Sequence, residues 1–123
     1  MKFQLSDDQK SIADGLKQIL AGLVTDESLK ALKKEGAWFH ERAWAALAEA
    51  EMLGLALPDS HGGSGFGMLE LCLLLEQVGR TVAPIPAIET LVSAALPIAQ
   101  FGSDSQKARF LPGIANGSVI LTA

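Results

Sequence analysis

The chain has 123 residues, of which 49% are hydrophobic and 20% are charged, and its formal net charge is −4. This length and composition are typical of one globular domain, and the acidic balance without a basic run argues against nucleic acid as a partner. The single cysteine, Cys72, excludes an internal disulfide and favours a reducing compartment. The polar N-terminus predicts no signal peptide, and no uncharged apolar stretch is long enough for a membrane span, so we expect a cytoplasmic protein.

A capping box marks the start of the first predicted helix. The Ser6 hydroxyl can accept a hydrogen bond from the amide of Gln9, whose side chain can reach back to the Ser6 amide. Apolar residues then recur at helical spacing, at Ile12, Leu16, Ile19, Leu20 and Leu23. We expect this face to pack on a core and Gly22 to mark the end of the helix.

Two further helices are predicted next along the chain. The first of them, over residues 25–35, is stopped by Gly36, and its few apolar residues indicate a peripheral position. The other runs from about residue 40 to residue 52 and carries Trp44 in its apolar stripe. We expect His40 to be an exposed residue at the start of this helix.

A glycine-rich loop over residues 58–67 leads directly into an apolar helix over residues 68–79. The glycines invite comparison with phosphate-binding loops, but no strand precedes them and no Lys-Ser/Thr pair follows, so we expect a tight turn with close backbone packing. The helix is apolar almost all the way round, which predicts a central, buried position. We expect Cys72 to be a buried hydrophobic residue and Glu76 to pair with Arg80 one turn later.

Residues 87–101 predict another helix, which is dense in apolar residues and has Glu89 as its only charge. Glu89 lies in the first turn, where the helix dipole stabilises a carboxylate, and a position lining a cavity is the alternative. Pro97 removes an amide and clashes one turn back, so we expect it to kink or split this helix.

The last part of the chain predicts a short helix followed by an extended segment. Ser103 and Gln106 form a second capping box, and Pro112-Gly113 is expected to break the helix that follows. Residues 118–122 are rich in β-branched side chains and predict a strand without a partner in this chain. The expected fold is all-α: an orthogonal bundle of about six helices, with a C-terminal extended segment leading into a missing β-domain. No spacing of His, Cys, Asp or Glu fits a metal site.

Several short sequence motifs, taken in their order along the chain, resemble those of the acyl-CoA dehydrogenase family. These motifs are Leu5-Ser6-Asp7-Asp8-Gln9, then Leu53-Gly54-Leu55-Ala56-Leu57-Pro58 running into Gly62-Gly63-Ser64-Gly65, and finally Phe101-Gly102-Ser103-Asp104-Ser105-Gln106-Lys107 with Phe110-Leu111-Pro112 and Asn116-Gly117. The ordered set covers essentially the whole chain and resembles the N-terminal α-helical domain of the family. It implies that residues 1–117 form this domain and that residues 118–123 begin a middle β-domain.

The resemblance implies an FAD-dependent enzyme of three parts, of which this chain is the first. Members of the family oxidise the Cα–Cβ bond of an acyl-CoA to a trans-2-enoyl-CoA: a glutamate base removes a proton and the flavin accepts a hydride. The base of most members lies in a C-terminal bundle, and the main flavin-binding segment starts at about Ala123. The resemblance therefore implies no catalytic residue in this chain, and we expect the isolated chain to be inactive.

The resemblance also implies partners and one wall of the acyl pocket. The partners are the acyl-CoA substrate, an electron-transfer flavoprotein as acceptor, and further subunits of a homo- or hetero-oligomer that we expect to be a tetramer. The helix that matches residues 86–101 lines the far end of the pocket in the family. The substrate-binding candidates carried over by position are Pro86, Glu89, Val92 and Ser93. The sequence from Gly79 to Thr90 resembles that of a bacterial subgroup of the family, some members of which act on bulky or steroid-derived acyl-CoAs.

Two alternatives change the function. One is a related flavin-dependent oxidase or hydroxylase, such as a nitroalkane oxidase, because a fold does not fix a function. The other is not catalytic: a subunit of a heteromeric dehydrogenase without activity of its own, or a free-standing helical interaction domain. The unpaired edge of the terminal strand argues against a free-standing domain.

Overall fold

A computed structural model describes residues 3–122 of the chain. Within this range the chain forms six α-helices, one short 3₁₀ turn and one π-helix, and no β-strand. The α-helices are α1 (Asp7–Leu23), α2 (Asp26–Glu35), α3 (Glu41–Glu49), α4 (Met68–Thr81), α5 (Ala95–Phe101) and α6 (Asp104–Ala115). The 3₁₀ turn is Asp59–His61 and the π-helix is Ala87–Ala94. The prediction of an all-α bundle of about six helices is confirmed.

Capping boxes start α1 and α6 at the predicted positions. The Ser6 hydroxyl accepts from the Gln9 amide at 3.2 Å, and the Gln9 side chain accepts from the Ser6 amide at 2.9 Å. Ser103 and Gln106 repeat the same pair of hydrogen bonds at the start of α6. Because each box pairs amides that a first helical turn leaves without partners, it contributes about 1 kcal/mol to helix stability.

The core lies where α1 packs against α3 and α4. Ile12, Leu16 and Leu20 of α1 are buried at the predicted helical spacing, although α1 ends at Leu23 and not at Gly22. The largest fully buried side chains of the core include Leu16, Leu20, Leu47, Leu53, Leu71, Leu74, Leu111 and Ile114. Each such residue contributes about 1.5–3 kcal/mol relative to an exposed one, so this apolar contact is the main source of stability.

The helix α2 lies at the edge of the bundle, as its composition predicts. None of its residues is buried. Gly36 ends the helix in the left-handed conformation, with φ of 68°, which glycine adopts without the steric penalty that a Cβ would bring.

His40 is buried, so the prediction of an exposed residue at this position is wrong. Its ring Nδ1 accepts from the amide of Ala43 at 3.1 Å and caps α3, while Nε2 lies 3.1 Å from the carbonyl oxygen of Leu23. These two contacts require a neutral imidazole with its proton on Nε2. The backbone amide of His40 also donates to the carbonyl of Pro84 at 2.8 Å. His40 thus joins the end of α1, the start of α3 and the segment before the π-helix.

The helix α4 is less buried than its apolar composition predicts. The residues on its core side are Leu71, Leu73, Leu74 and Gln77. Met68 and Leu69 are each 51% exposed, and Cys72 is exposed, so the prediction of a buried cysteine is wrong. The reason is that, within residues 3–122, α4 is covered mainly by α1 and the π-helix, which leaves one of its faces open. The predicted Glu76–Arg80 ion pair is present at 3.2 Å.

Pro112 does not break α6, contrary to the prediction. The helix continues through Pro112 to Ala115. A proline inside a helix costs about 3 kcal/mol. Continuing the helix, however, buries Leu111 and Ile114 completely, and each of these contributes about 1.5–3 kcal/mol. Tertiary burial therefore outweighs the local penalty at Pro112.

The residues after α6 are held against the helical body without forming a paired strand. The amide of Val119 donates to the carbonyl of Gly113 at 3.0 Å. The hydroxyl of Thr90, which is fully buried, donates to the carbonyl of Leu121 at 2.7 Å. Residues 118–122 form no paired strand in the described structure, and both the extended segment and the domain boundary after residue 117 stay predictions.

Candidate functional site

The π-helix Ala87–Ala94 carries three of the four predicted site residues, and the fourth, Pro86, is its N-cap. The carbonyl of Pro86 accepts from the amide of Thr90 at 3.1 Å. Pro97 lies in the first turn of α5, a position where proline is tolerated, and the helix changes from π to α just before it. The helix runs without a gap from residue 87 to residue 101, so the predicted kink or split at Pro97 stays a prediction. π-helical turns are rare and occur frequently at functional sites.

A groove of about 440 Å³ opens between the π-helix, the residues before α3 and the C-terminal segment. Ligand cavities in proteins commonly measure roughly 300–1,000 Å³, so the groove can accept a small molecule or part of one. The lining side chains that matter for its chemistry are Trp38, Phe39, Pro86, Glu89, Ile120 and Thr122. Most of them are aromatic or aliphatic, which suits an apolar ligand.

Only two of the four predicted residues lie on this groove. Pro86 and Glu89 line it together. Val92 is partly buried and packs on the core instead, and Ser93 is exposed to solvent. Neither Val92 nor Ser93 lines this groove.

Six lining residues were not predicted: Pro84 and Ile85 adjoin Pro86, whereas Trp38, Phe39, Ile120 and Thr122 come from distant parts of the sequence. Trp38 follows the end of α2, whereas Ile120 and Thr122 belong to the C-terminal segment. The single available signal was Trp38 itself, a large apolar residue in a short connection between two helices, where no helical face accounts for it. No sequence pattern indicates that the C-terminal segment crosses the π-helix.

The walls of the groove are fixed by hydrogen bonds between these segments. The Thr90 hydroxyl holds the Leu121 carbonyl at 2.7 Å, and this contact sets the position of the neighbouring Ile120 and Thr122. On the opposite side, the His40 amide holds the Pro84 carbonyl at 2.8 Å. The groove is therefore formed in advance of any ligand, which reduces the ordering cost of binding.

Among residues 3–122, Glu89 is the only charged side chain that lines this groove. It is exposed, and the side-chain ion pairs within residues 3–122 involve other residues: Lys10 with Asp7 at 3.8 Å and Arg80 with Glu76 at 3.2 Å. Because Glu89 lies in the first turn of the π-helix, the unpaired amides there favour its negative charge. A carboxylate in this position can accept hydrogen bonds at one end of an otherwise apolar groove.

The strained residue Val82 lies a short distance before the groove. It ends α4 in the left-handed conformation, with φ of 53°, and its side chain is 73% exposed. Valine is β-branched and rarely adopts this conformation. The turn directs the chain from α4 into the Pro84–Pro86 segment, where the groove begins.

The glycine-rich loop cannot cradle a phosphate, as the sequence predicts. Its backbone amides are already occupied: Gly63 donates to Pro58, Ser64 to Gly54, and Gly65 to Leu57, at 3.0, 2.8 and 2.9 Å. A Cβ added at Gly63 would overlap the carbonyl of Leu57. The glycines therefore serve close backbone packing, and the interpretation of this loop as a tight turn is confirmed.

The described residues include neither an orphaned buried polar side chain nor a metal-ligand cluster. In residues 3–122, every buried side-chain nitrogen or oxygen has a hydrogen-bond partner, so no buried polar group is left for a cofactor to satisfy. No group of three or more His, Cys, Asp or Glu residues in this range could hold a metal ion. Ala123, the predicted flavin contact, lies outside the described residues. None of the helices in this range is long and apolar enough to cross a membrane.

Comparison with known proteins identifies the family. Residues 6–118 match the family model of the acyl-CoA dehydrogenase N-terminal domain. FadE27, an acyl-CoA dehydrogenase of Mycobacterium tuberculosis, is 31% identical over 122 residues, which cover 99% of this chain and 33% of FadE27.

Two solved structures share this fold. One is titled "Tcur3481-Tcur3483 steroid ACAD G363A variant" and is 40% identical, with a TM-score of 0.88, over 94% of this chain and 32% of that chain. The other is the ChsE4-ChsE5 complex from Mycobacterium tuberculosis, 31% identical with a TM-score of 0.91 over 99% of this chain and 34% of that chain. The chain thus spans about a third of the length of these proteins, and it belongs to the acyl-CoA dehydrogenase family, whose N-terminal helical domain it represents.

Proposed function

We propose that this chain is the N-terminal part of an FAD-dependent acyl-CoA dehydrogenase that oxidises an acyl-CoA to a trans-2-enoyl-CoA. The observation that supports this best is the apolar groove beside Pro86 and Glu89, the segment where the family places the far end of the acyl pocket. FAD is the cofactor that family membership supports for the longer protein. The flavin would supply the hydride acceptor for the oxidation.

The part played by this chain is to bind and orient the acyl group. Pro86, Phe39 and Ile120 offer apolar surface that excludes water from a hydrocarbon ligand. Glu89 offers a charged contact on that surface, which can fix the depth to which a ligand with a polar group enters. Catalytic residues belong to parts of the longer protein that this chain does not include.

The substrate we propose is a bulky acyl-CoA of the steroid-derived class. The solved structure that is 40% identical to this chain carries the word steroid in its title. We further propose an electron-transfer flavoprotein as the electron acceptor and a hetero-oligomeric assembly for the longer protein. The ChsE4-ChsE5 structure is a complex of two named components, which supports a heteromer.

The test is oxidation by the longer protein that contains this chain. The purified protein is mixed without oxygen with a steroid acyl-CoA or with octanoyl-CoA, and flavin bleaching and enoyl-CoA formation are recorded. We expect bleaching and product with the steroid thioester, and turnover when an electron-transfer flavoprotein is added. A flavin that no acyl-CoA reduces would contradict the proposal.

A non-catalytic subunit is the second candidate function. The names of both similar structures join two proteins, Tcur3481 with Tcur3483 and ChsE4 with ChsE5, and this favours a subunit of a heteromer. The same assay separates the two candidates when the longer protein is tested alone and together with a copurified partner subunit. Activity that depends on the partner, and that persists when the catalytic base of this subunit is replaced, would favour the non-catalytic role.

A further inference from the structure

Trp38 is the most exposed of the large side chains that line the groove. It is 98% exposed, whereas the second tryptophan, Trp44, is 3% exposed. An aromatic ring of this size can bury roughly 150–250 Å² of surface. Exposing the Trp38 ring to water is therefore unfavourable, and an apolar surface that covers the ring would be stabilising.

The backbone beside Trp38 is held on both sides, although its ring is free. The amide of Ala37 donates to the carbonyl of Leu32 at 3.1 Å, and the amide of His40 donates to the carbonyl of Pro84 at 2.8 Å. These bonds tie the Trp38 connection to α2 and to the segment before the π-helix. The indole is thus presented from a fixed backbone to the same groove as Pro86 and Glu89.

The chemistry of the groove suits a neutral, flat and largely apolar ligand. Glu89 is its only charged lining residue among residues 3–122, so a charged ligand would find no complementary network there. An indole face gains most from a second flat surface, because dispersion and area burial both grow with the area in contact. A fused ring system presents such a surface, whereas a linear acyl chain offers only a narrow one.

We propose that Trp38 is a specificity-determining residue that packs on a polycyclic part of the acyl group and gives the groove its preference over linear acyl chains. This inference rests on the proposed function, since it assumes that the groove receives the far end of the acyl group. It adds a residue from outside the π-helix and a reason for selecting ring-containing substrates.

The first experiment measures binding to the 123-residue chain itself. Androstenedione serves as a neutral polycyclic probe, and tryptophan emission is followed during the titration, with buried Trp44 as a constant background. We expect a saturable blue shift that is lost in Trp38→Ala, with affinity measured by calorimetry falling about tenfold, while Trp38→Phe keeps most of the affinity. The matched control is Phe101→Ala, because Phe101 is 80% exposed and does not line the groove.

The second experiment uses the longer enzyme and separates binding from chemistry. For Trp38→Ala we expect kcat/KM to fall about tenfold for a steroid acyl-CoA, mainly through KM, and to fall by less than about threefold for octanoyl-CoA. An equal loss for both substrates would overturn the inference, because it would indicate a general structural role.

Two further outcomes would also overturn it. One is undiminished affinity of Trp38→Ala for the probe. The other is a Trp38 emission that is already shifted to the blue in the ligand-free longer protein and does not respond to substrate, since the ring would then be covered by protein. If the longer protein oxidises no acyl-CoA at all, the proposed function fails, and the binding experiment alone then decides on Trp38.

Discussion

The side-chain amide of Gln9 donates a 3.1 Å hydrogen bond to Oε1 of Glu70, across 61 residues of sequence. Oε2 of Glu70 accepts from the amide of Gly67 at 3.0 Å and so closes the start of α4. Gln9 meanwhile closes the capping box of α1 through Ser6. The starts of the two helices that pack together in the core therefore share one hydrogen-bond network.

This network makes stability depend on pH through Glu70. The hydrogen bond from Gln9, followed by those from the backbone of Glu70 itself and of Gly67, lowers the pKa of the Glu70 carboxyl. Ionised Glu70 therefore stabilises the fold above the unfolded-state pKa of about 4.3, and this contribution is lost as the pH falls through the folded-state value.

Glu70→Gln is expected to lower the free energy of unfolding near neutral pH by less than about 1 kcal/mol, because the site is only partly shielded from solvent. The deficit should shrink as the pH falls below about 4, where the wild-type carboxyl becomes protonated. Urea denaturation across this pH range measures it, with Glu49→Gln as the exposed control. A deficit that does not change with pH would contradict the assignment.

Replacing His40 should destabilise the chain more than replacing His61. His40→Ala removes the cap of α3 and leaves the buried Ala43 amide and the partly buried Leu23 carbonyl without their partner. We expect a loss of about 1–3 kcal/mol in urea denaturation. His61→Ala removes only an exposed contact with Ser60 and should change stability by less than about 0.5 kcal/mol. Equal effects of the two substitutions would refute the capping role.

Glycine-to-alanine changes at two positions should have opposite signs. In Gly63→Ala, the new Cβ would overlap the carbonyl of Leu57, so the loop must shift and stability should fall by more than about 1 kcal/mol. At Gly79, inside α4, no atom lies within 4 Å of the added Cβ, so Gly79→Ala should raise stability by about 0.5–1 kcal/mol. Thermal and urea unfolding of both variants test this pair.

Glu89→Ala should change substrate preference in the longer enzyme without abolishing oxidation. Glu89 lines the groove, and catalysis is proposed to reside elsewhere. We expect the ratio of kcat/KM for a polar-ended and a fully apolar acyl-CoA to fall about tenfold, since one hydrogen bond to a charged group is lost. Gln100→Ala is the control, because Gln100 is exposed and does not line the groove. An unchanged substrate profile would count against the assignment of Glu89 to the pocket.

The isolated chain is expected to bind no FAD with useful affinity. All buried side-chain polar atoms within residues 3–122 already have partners, and the implied isoalloxazine site lies mostly beyond them. Equilibrium dialysis of the purified 123 residues against FAD should leave no flavin absorbance with the protein. Stoichiometric retention of FAD would show that the flavin site has been assigned to the wrong part of the family fold.

The helices were predicted well from the sequence, because the interactions that start, stop and stabilise them join residues close together in the chain. The Ser6 and Ser103 boxes, the stop at Gly36 and the ion pair of Glu76 with Arg80 each depend on neighbours within about one helical turn. The resemblance to a family then placed these elements in a known order, which the match over residues 6–118 confirms.

The errors share one physical origin, which is contact between distant segments. His40 is buried because the end of α1 lies over it, and α6 continues through Pro112 because the core covers Leu111 and Ile114. Cys72 is exposed because little of the described chain covers that face of α4. A pattern within a few residues of sequence cannot indicate such contacts between distant segments.

The composition of the groove also depends on distant segments. Pro86 and Glu89, which were carried over from the family resemblance, line it, and their role in substrate binding stays a prediction. Trp38, Ile120 and Thr122 join them only because two other segments cross the π-helix. A helical wheel drawn at α-helical spacing also groups Val92 and Ser93 with Glu89, but Val92 packs on the core and Ser93 is exposed to solvent.

The π-helix has a consequence for how this segment can vary among related sequences. A π turn is closed one residue later than an α turn, and each residue turns a helix by about 100°. A relative that lacks one residue between Pro86 and Ala95 could therefore keep a continuous α-helix and the packing of α5. The same deletion would rotate the residues before it and remove Glu89 from the groove. Single-residue length differences in this segment are thus a simple route by which substrate preference can diverge while the rest of the bundle stays in place.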